Sequence, residues 1–227
     1  MYTKTLRYNV LLNSAVFLHI FLLIQPFALP AQDFNIPVFR GELVQKYNYT
    51  LEGTVYAYSD EFQPGSIHFN GKQYSGLMMN LNAHRNELQV RIGTTGESIA
   101  VKRSLVGDFT IGKRNFTALY GERGIKGLAE GYYQVLYKGE GLLLKKIYKN
   151  VSEQANFITG AITKVFTTKY RYYLVKEGMV YKIKDEKSLI KHYKEHKGKT
   201  RAFIKERKGR MAATDDIMHG VMKIMEE

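Results

Sequence analysis

The chain has 227 residues, of which 44% are hydrophobic and 24% are charged. Those proportions are typical of a folded globular protein and exclude a disordered, collagen-like or wholly membrane-embedded chain. The absence of cysteine excludes disulfide bonds, thiol catalysis and cysteine-ligated zinc or iron–sulfur sites. A formal net charge of +13 favours attraction to polyanions or acidic surfaces.

Residues 1–31 differ in composition from the rest of the chain. Two basic residues, Lys4 and Arg7, precede an apolar run over residues 10–24, and small and helix-breaking residues follow it. This order is typical of a cleaved signal peptide. A transmembrane anchor needs roughly 20 apolar residues, and Gln25 interrupts the run before that length. We therefore predict cleavage near residue 31 and no transmembrane span afterwards.

The missing cysteines also bear on where an exported domain resides. Domains secreted from eukaryotic cells are usually stabilised by disulfide bonds. A cysteine-free exported chain favours a bacterial envelope, with the mature protein in the periplasm, on the outer-membrane surface or outside the cell. Export argues against a nucleic-acid partner.

Residues 32–184 carry the pattern of an antiparallel β domain, in which short Val-, Ile-, Tyr-, Phe- and Leu-rich runs alternate with turns. The clearest turn is Asn70–Gly71 between two such runs, because this dipeptide supplies the two positive φ angles of a type I′ hairpin. Similar pairs of runs follow, and consecutive hairpins form a meander. We expect at least roughly eight strands, closing into a barrel or stacking as a sandwich.

Two segments lack a strand pattern and are predicted to be long loops: residues 121–131 and residues 151–168. The glycines of the first loop have neither the spacing nor the ending of a phosphate-binding loop, so they predict an ordinary hairpin loop. We expect loops 82–87 and 121–131 to form the surface that the strand region presents to a ligand.

Residues 185–227 are predicted to form a basic segment of two or three short helices packed on the β domain. A first helix begins at Asp185 and ends at a Gly198 cap, and a second begins at a Thr200 cap and ends at Gly209.

A third helix begins at Thr214, with two aspartates in its first turn, where the helix dipole favours negative charge. Its apolar residues recur at helical spacing, which predicts a core stripe and not a groove for a partner. The stripe consists of Ile217, Met218, Val221, Met222, Ile224 and Met225.

His192, Glu195 and His196 spell the H-x-x-E-H pattern of one class of zinc proteases. Lysines surround the motif and would oppose a dication, so we interpret it as a solvated helix face. The sequence holds no other local signature of catalysis, and we predict no catalytic, metal or cofactor site.

The stretch from Tyr181 to Arg210 is strongly basic, with 12 Lys and Arg residues against four Asp and Glu. Lys- and Arg-rich segments bind polyanions by releasing their counterions. The candidate anion-binding residues are Lys194, Lys197, Lys199, Arg201, Lys205, Arg207, Lys208 and Arg210.

Three motifs together resemble a known group of proteins: FNGKQYSGLMMNLNAHRNELQV at 69–90, GYYQVLYKGEGLLLKKIYK at 131–149, and the segment 169–208 with its K-x-L-I and F-I-K-x-x-K parts. The chain resembles exported β-rich proteins, uncharacterised in function, of Bacteroidetes-type bacteria. The resemblance implies hairpins followed by a terminal helical segment, and it implies no catalytic residue.

Our leading interpretation is an exported envelope protein that binds or scaffolds without catalysis, its partner being an anionic envelope polymer or another envelope protein. One alternative is a hydrolase whose site is assembled from scattered polar residues at the mouth of the β domain. A second is polyanion binding, to a glycan or lipopolysaccharide, through the basic helices.

Overall fold

Antiparallel hairpins dominate the structure, a computed structural model that describes residues 39–91, 93, 96–155, 157–193 and 196–227. The described residues belong to one compact unit. The predicted signal peptide, residues 1–31, lies outside the described residues.

Within the described part of the chain, twelve strands form one sheet. In chain order they are β1 (Gly41–Leu43), β2 (Thr50–Glu52), β3 (Gln63–Phe69), β4 (Lys72–Asn82), β5 (Glu87–Arg91), β6 (Ser98–Val101), β7 (Val106–Ile111), β8 (Arg114–Leu119), β9 (Gly131–Lys138), β10 (Leu142–Ala155), β11 (Ile162–Lys176) and β12 (Met179–Ile183). Their hydrogen-bonded order is β1-β6-β5-β4-β3-β7-β8-β9-β10-β11-β12, with β2 beside β11. Two meanders, β3 to β6 and β7 to β12, therefore meet at the β3–β7 pair.

The predicted hairpin at Asn70–Gly71 is confirmed. Phe69 pairs with Lys72 across the turn, and the two turn residues have φ angles of 50° and 77°. Glycine tolerates such angles without strain and asparagine tolerates them better than most residues, which is why this dipeptide makes so strong a hairpin signal.

A short connection forces the sheet to curl. Strands β5, β4 and β3 separate β6 from β7, so four spacings of about 4.8 Å would hold them roughly 19 Å apart in a flat sheet. The five residue steps from Val101 to Val106 span at most about 18 Å when extended. They also contain a 3₁₀ turn over Arg103–Leu105, which shortens the path. The sheet is accordingly a curled half-barrel.

Apolar side chains fill the inside of the curl. Ile67, Met79 and Leu88 lie on three different strands and have no exposed surface. The rings of Phe109 and Phe116 stack with their centroids 5.0 Å apart across β7 and β8. This core holds the strands together from within.

Strands β10 and β11 are much longer than their neighbours. They pair with each other from Leu142 to Ala155 of β10, whereas β9 covers β10 only as far as Lys145. We call residues 150–167 the β10–β11 arm. One of its edges pairs in parallel with β2, where Thr163 lies opposite Thr50.

The prediction of a loop over residues 151–168 is wrong, because β10 extends to Ala155 and β11 begins at Ile162. Residues 150–155 are exposed throughout, so neither face of this stretch of β10 covers the core. A strand that is solvated on both faces shows no alternation of apolar and polar residues, and that alternation is the signal by which strands are recognised.

Three α-helices follow the sheet in the described residues: α1 (Glu186–Leu189), α2 (Lys197–Gly209) and α3 (Thr214–Met225), with a 3₁₀ turn over Ile190–His192 after α1. The predicted end at Gly209 and start at Thr214 are confirmed. The two predicted caps are wrong, because Gly198 lies inside α2 and Thr200 is fully buried in it. The Thr200 hydroxyl donates to the His196 carbonyl one turn back.

The apolar stripe of α3 packs on the sheet, as predicted for a core stripe. Ile217, Met218 and Val221 are buried together with Leu143 of β10 and Leu174 of β11. The prediction of a mainly antiparallel β fold with a C-terminal helical segment is confirmed.

A buried ion pair fixes the start of α3 on β10. Lys145 Nζ lies 2.6 Å from Asp215 Oδ2, and the lysine side chain is only 5% exposed. Tyr172 of β11 donates its hydroxyl to the other carboxylate oxygen at 3.0 Å. Burial and the Asp215 charge raise the pKa of Tyr172, which keeps the phenol protonated as a donor.

The ion pair predicts a difference between two neighbouring aspartates. Asp215→Asn should lower the free energy of unfolding by about 2–3 kcal/mol, because it leaves a buried ammonium without its counter-charge. Asp216→Asn, at an exposed position in the same turn, should cost less than about 0.5 kcal/mol. Urea unfolding at pH 7 measures both, and equal losses would show that the pair does not anchor α3.

Candidate anion-binding groove

A groove lies between α1 with its 3₁₀ turn and helix α2. Asp185 caps α1 by accepting from the Ser188 amide at 2.8 Å, while the Ser188 hydroxyl accepts from the Asp185 amide. Tyr193 is extended, and His196 has a left-handed φ of 56°. These two positions break the helical path, so the chain returns as α2 alongside α1.

Cationic side chains line most of this groove, which encloses about 680 Å³. Ile190 and Ile204 are buried and form its floor. The remaining lining residues are Lys187, Lys191, Lys197, Arg201, Lys205 and Lys208.

Four of the predicted anion-binding residues come together here: Lys197, Arg201, Lys205 and Lys208. They recur every three or four residues along α2 and therefore share one face of the helix. Lys194 lies outside the described residues.

The other three predicted residues, two on α2 and one directly after it, make contacts outside the groove. Lys199 pairs with Glu227 at 2.8 Å, Arg210 pairs with Glu206 at 3.1 Å, and Arg207 lies over the Phe203 ring at 5.3 Å. The structure therefore divides the seven predicted residues that it describes into a groove set and a set with other contacts.

Lys208 differs from the rest of the groove set. Its ammonium lies 2.8 Å from Glu186 Oε2, and the glutamate side chain is only 5% exposed. The hydrogen bond to Glu186 raises the pKa of Lys208 above its ordinary value. This lysine closes one end of the groove and has its charge already neutralised.

Lys187 and Lys191 form the opposite wall of the groove and were not predicted from the sequence. Their spacing of four residues on the solvated side of the first helix was the available signal. Five groove cations have no acidic partner within 4.0 Å among the residues the structure describes: Lys187, Lys191, Lys197, Arg201 and Lys205.

The H-x-x-E-H motif does not lie on one helical face. His192 ends the 3₁₀ turn and packs against the Tyr181 ring, with centroids 4.3 Å apart. Burial and the charges of Lys176 and Lys191 lower its pKa. His196 precedes α2 after the break in the helix, and Glu195 lies outside the described residues.

A second concave site, the loop cleft, is lined by Glu87 of one predicted binding loop and by Gly121 and Glu130 of the other. Beside it, Asn86 donates its side-chain amide to the Tyr120 hydroxyl at 2.6 Å. The cleft encloses about 690 Å³ and carries both signs of charge. Its charged lining residues are Glu42, Glu87, Lys102, Arg103 and Glu130.

Lys146 lies behind this cleft in an unusual environment. Its ammonium is 3.4 Å from Asn86 Oδ1 and 4.6 Å from the centre of the Tyr133 ring. Gly131 makes room for it, since a Cβ there would lie 1.7 Å from the ammonium nitrogen. Burial and the charge of Arg103 lower the pKa of Lys146 to about 8.

The hydrolase alternative places its site at the mouth of the β domain. The inside of the curl is filled there by apolar side chains such as Phe69 and Leu81. Over the described ranges, no group of three or more His, Cys, Asp or Glu side chains is arranged to hold a metal ion.

The chain matches no protein-family model, no curated protein and no solved structure. Among the residues that the structure describes, no helix combines the length and apolar character needed to cross a bilayer.

The environment of Lys146 predicts a pH-dependent stability. Below pH 8 the folded and unfolded chains both bind the proton, and the burial cost is fully present. Between pH 8 and 10.5 only the folded state loses the proton, so the cost disappears as pH rises. Lys146→Met should therefore be more stable than the wild type by roughly 3 kcal/mol at pH 7, a difference that vanishes by about pH 10.5.

Urea unfolding from pH 7 to 10.5 measures this difference. Lys169→Met is the control, because Lys169 is exposed on β11, and its curve should run parallel to that of the wild type. A parallel curve for Lys146→Met as well would show that burial does not disfavour the Lys146 ammonium.

Proposed function

We propose that this protein is an exported binding module of the bacterial cell envelope and that the groove between α1 and α2 binds an anionic polymer such as a charged glycan. The observation that carries the proposal is the set of five groove cations without an acidic partner within 4.0 Å among the described residues. Like charges held together repel one another, and a polyanion relieves this repulsion while releasing its own counterions.

The shape of the groove favours a linear ligand. Lys197, Arg201 and Lys205 follow one another at intervals of four residues, which corresponds to about 6 Å along a helix. Lys187 and Lys191 repeat the same interval on the opposite wall. Two facing rows of cations suit a chain that carries repeated negative charges on both of its sides.

The loop cleft is less suited to this ligand. Glu42, Glu87 and Glu130 would repel a polyanion there and offset the attraction of Lys102 and Arg103. Mixed charge suits another envelope protein better, since complementary patches of both signs set register and specificity between proteins. We therefore assign the anionic polymer to the groove.

Two triple variants of the same helix separate groove binding from general attraction. Lys197→Gln, Arg201→Gln and Lys205→Gln together should weaken heparin binding at least about tenfold, because three cationic contacts to the negative groups of heparin are lost. Lys199→Gln, Arg207→Gln and Arg210→Gln remove the same charge from positions outside the groove and should change affinity less than about threefold.

Isothermal titration calorimetry with heparin at several salt concentrations provides the measurement. With five cations engaged at roughly 0.7 ions each, the logarithm of the wild-type affinity should fall with the logarithm of salt at a slope of about −3.5. The groove variant should have a slope shallower by about 2. Equal effects of the two triple variants would mean that only net charge matters and would refute the groove as the site.

Export has its own test. In the native host, the protein should be found in the envelope or the medium, with a mature N-terminus at or near Gln32, because the leader is cut after its small-residue end. Fractionation followed by N-terminal sequencing provides the measurement, and a cytoplasmic protein that begins at Met1 would contradict the assignment.

A further inference from the structure

The free end of the β10–β11 arm exposes large apolar side chains. Phe157 is 98% exposed and Ile158 is 96% exposed. Ile162, where β11 begins, is 53% exposed. Single exposed apolar residues are ordinary on protein surfaces, but two adjacent, fully exposed ones at the end of a projecting hairpin are not.

The same end of the arm carries no charge. Residues 154–163 contain no Asp, Glu, Lys or Arg, so moving them out of water has no ionic desolvation cost. The first charges are Glu153 and Lys164, which lie on opposite strands and face each other at 3.7 Å. This ion pair marks the boundary between the apolar end and the rest of the arm.

The backbone at this end of the arm is compatible with shallow insertion into an apolar medium. Ala155 pairs with Ile162 across the hairpin, so the ladder continues to the last residue of β10. The boundary pair lies two residues from the turn, or about 7 Å along a strand. This length matches the depth of about 5–10 Å to which interfacial segments enter a lipid bilayer.

We propose that residues 157–162 of the β10–β11 arm insert into the surface of a lipid bilayer and attach the protein to it. A stable protein partner would need roughly 20–30 residues on each side of an interface, whereas the uncharged end of the arm offers ten. A bilayer needs no matching surface and accepts a small apolar wedge. The contact is separate from the polymer site, because residues 157–162 share no residue with the groove.

Vesicles of pure phosphatidylcholine isolate this contact from the basic helices, because they carry no net charge. The chain contains no tryptophan, so Phe157→Trp places a single fluorophore at the apex. Its emission should shift to the blue on adding vesicles, and lipids brominated in the acyl chain should quench it. Met211→Trp, at a 93% exposed site outside the arm, should show neither effect.

A double variant completes the test. Phe157→Ser with Ile158→Ser should lower partitioning into these vesicles by at least about tenfold in a flotation assay, since two large apolar side chains are lost. Leu43→Ser with Met211→Ser, which removes two exposed apolar side chains elsewhere, should leave partitioning unchanged. Heparin affinity should be the same in all four of these variants, so failure here would not affect the groove.

Two outcomes would overturn the proposal. One is a Phe157→Trp emission that does not respond to vesicles, or a double variant that partitions like the wild type. The other is a blue shift that depends on protein concentration in the absence of lipid, which would show that the apex contacts a second copy of the chain.

Discussion

The ion pair between Lys145 and Asp215 determines where the helices lie on the sheet, and the groove depends on that placement. Lys145 is the last residue of β10 that pairs with β9, so the pair stands where β10 leaves its neighbour and continues toward the arm. Asp215 lies in the first turn of α3, where the helix dipole also favours a negative charge. Helix α3 in turn supports α2, because Met225 contacts the buried Thr200 hydroxyl through its sulfur at 3.0 Å.

A second contact fixes the other end of α3. Glu226 accepts from the amides of Glu140 and Gly141 in the β9–β10 turn, each at 2.8 Å. It also accepts from the Tyr193 hydroxyl at 2.8 Å, which ties the segment after α1 to the same carboxylate. The helical layer is therefore held at both ends by acidic residues, although the segment as a whole is strongly basic. Five cations of this segment that have no acidic partner within 4.0 Å among the described residues line the groove.

The sequence predicted features that depend on local chemistry. The Asn70–Gly71 hairpin, the core stripe of α3 and the end of α2 at Gly209 all follow from turn angles and helical periodicity. The arm was missed because its strands cover no core. The faces of α2 were missed for a different reason: the predicted start at Thr200 left Lys197 and Lys199 outside the helix, so they were not sorted by face together with the residues that follow. Once α2 is continuous, Lys197, Arg201 and Lys205 fall together by spacing alone.

The groove carries a cost for the free protein. Like charges four residues apart destabilise a helix by a few tenths of a kcal/mol per pair, and Lys197, Arg201 and Lys205 form two such pairs on α2. That helix buries only Thr200 and Ile204 among its described side chains, so packing compensates little of the repulsion. An anionic ligand neutralises these charges, and by linkage any ligand that prefers the folded helix also stabilises it. In the proposed function, binding of the anionic polymer and the order of α2 are therefore coupled.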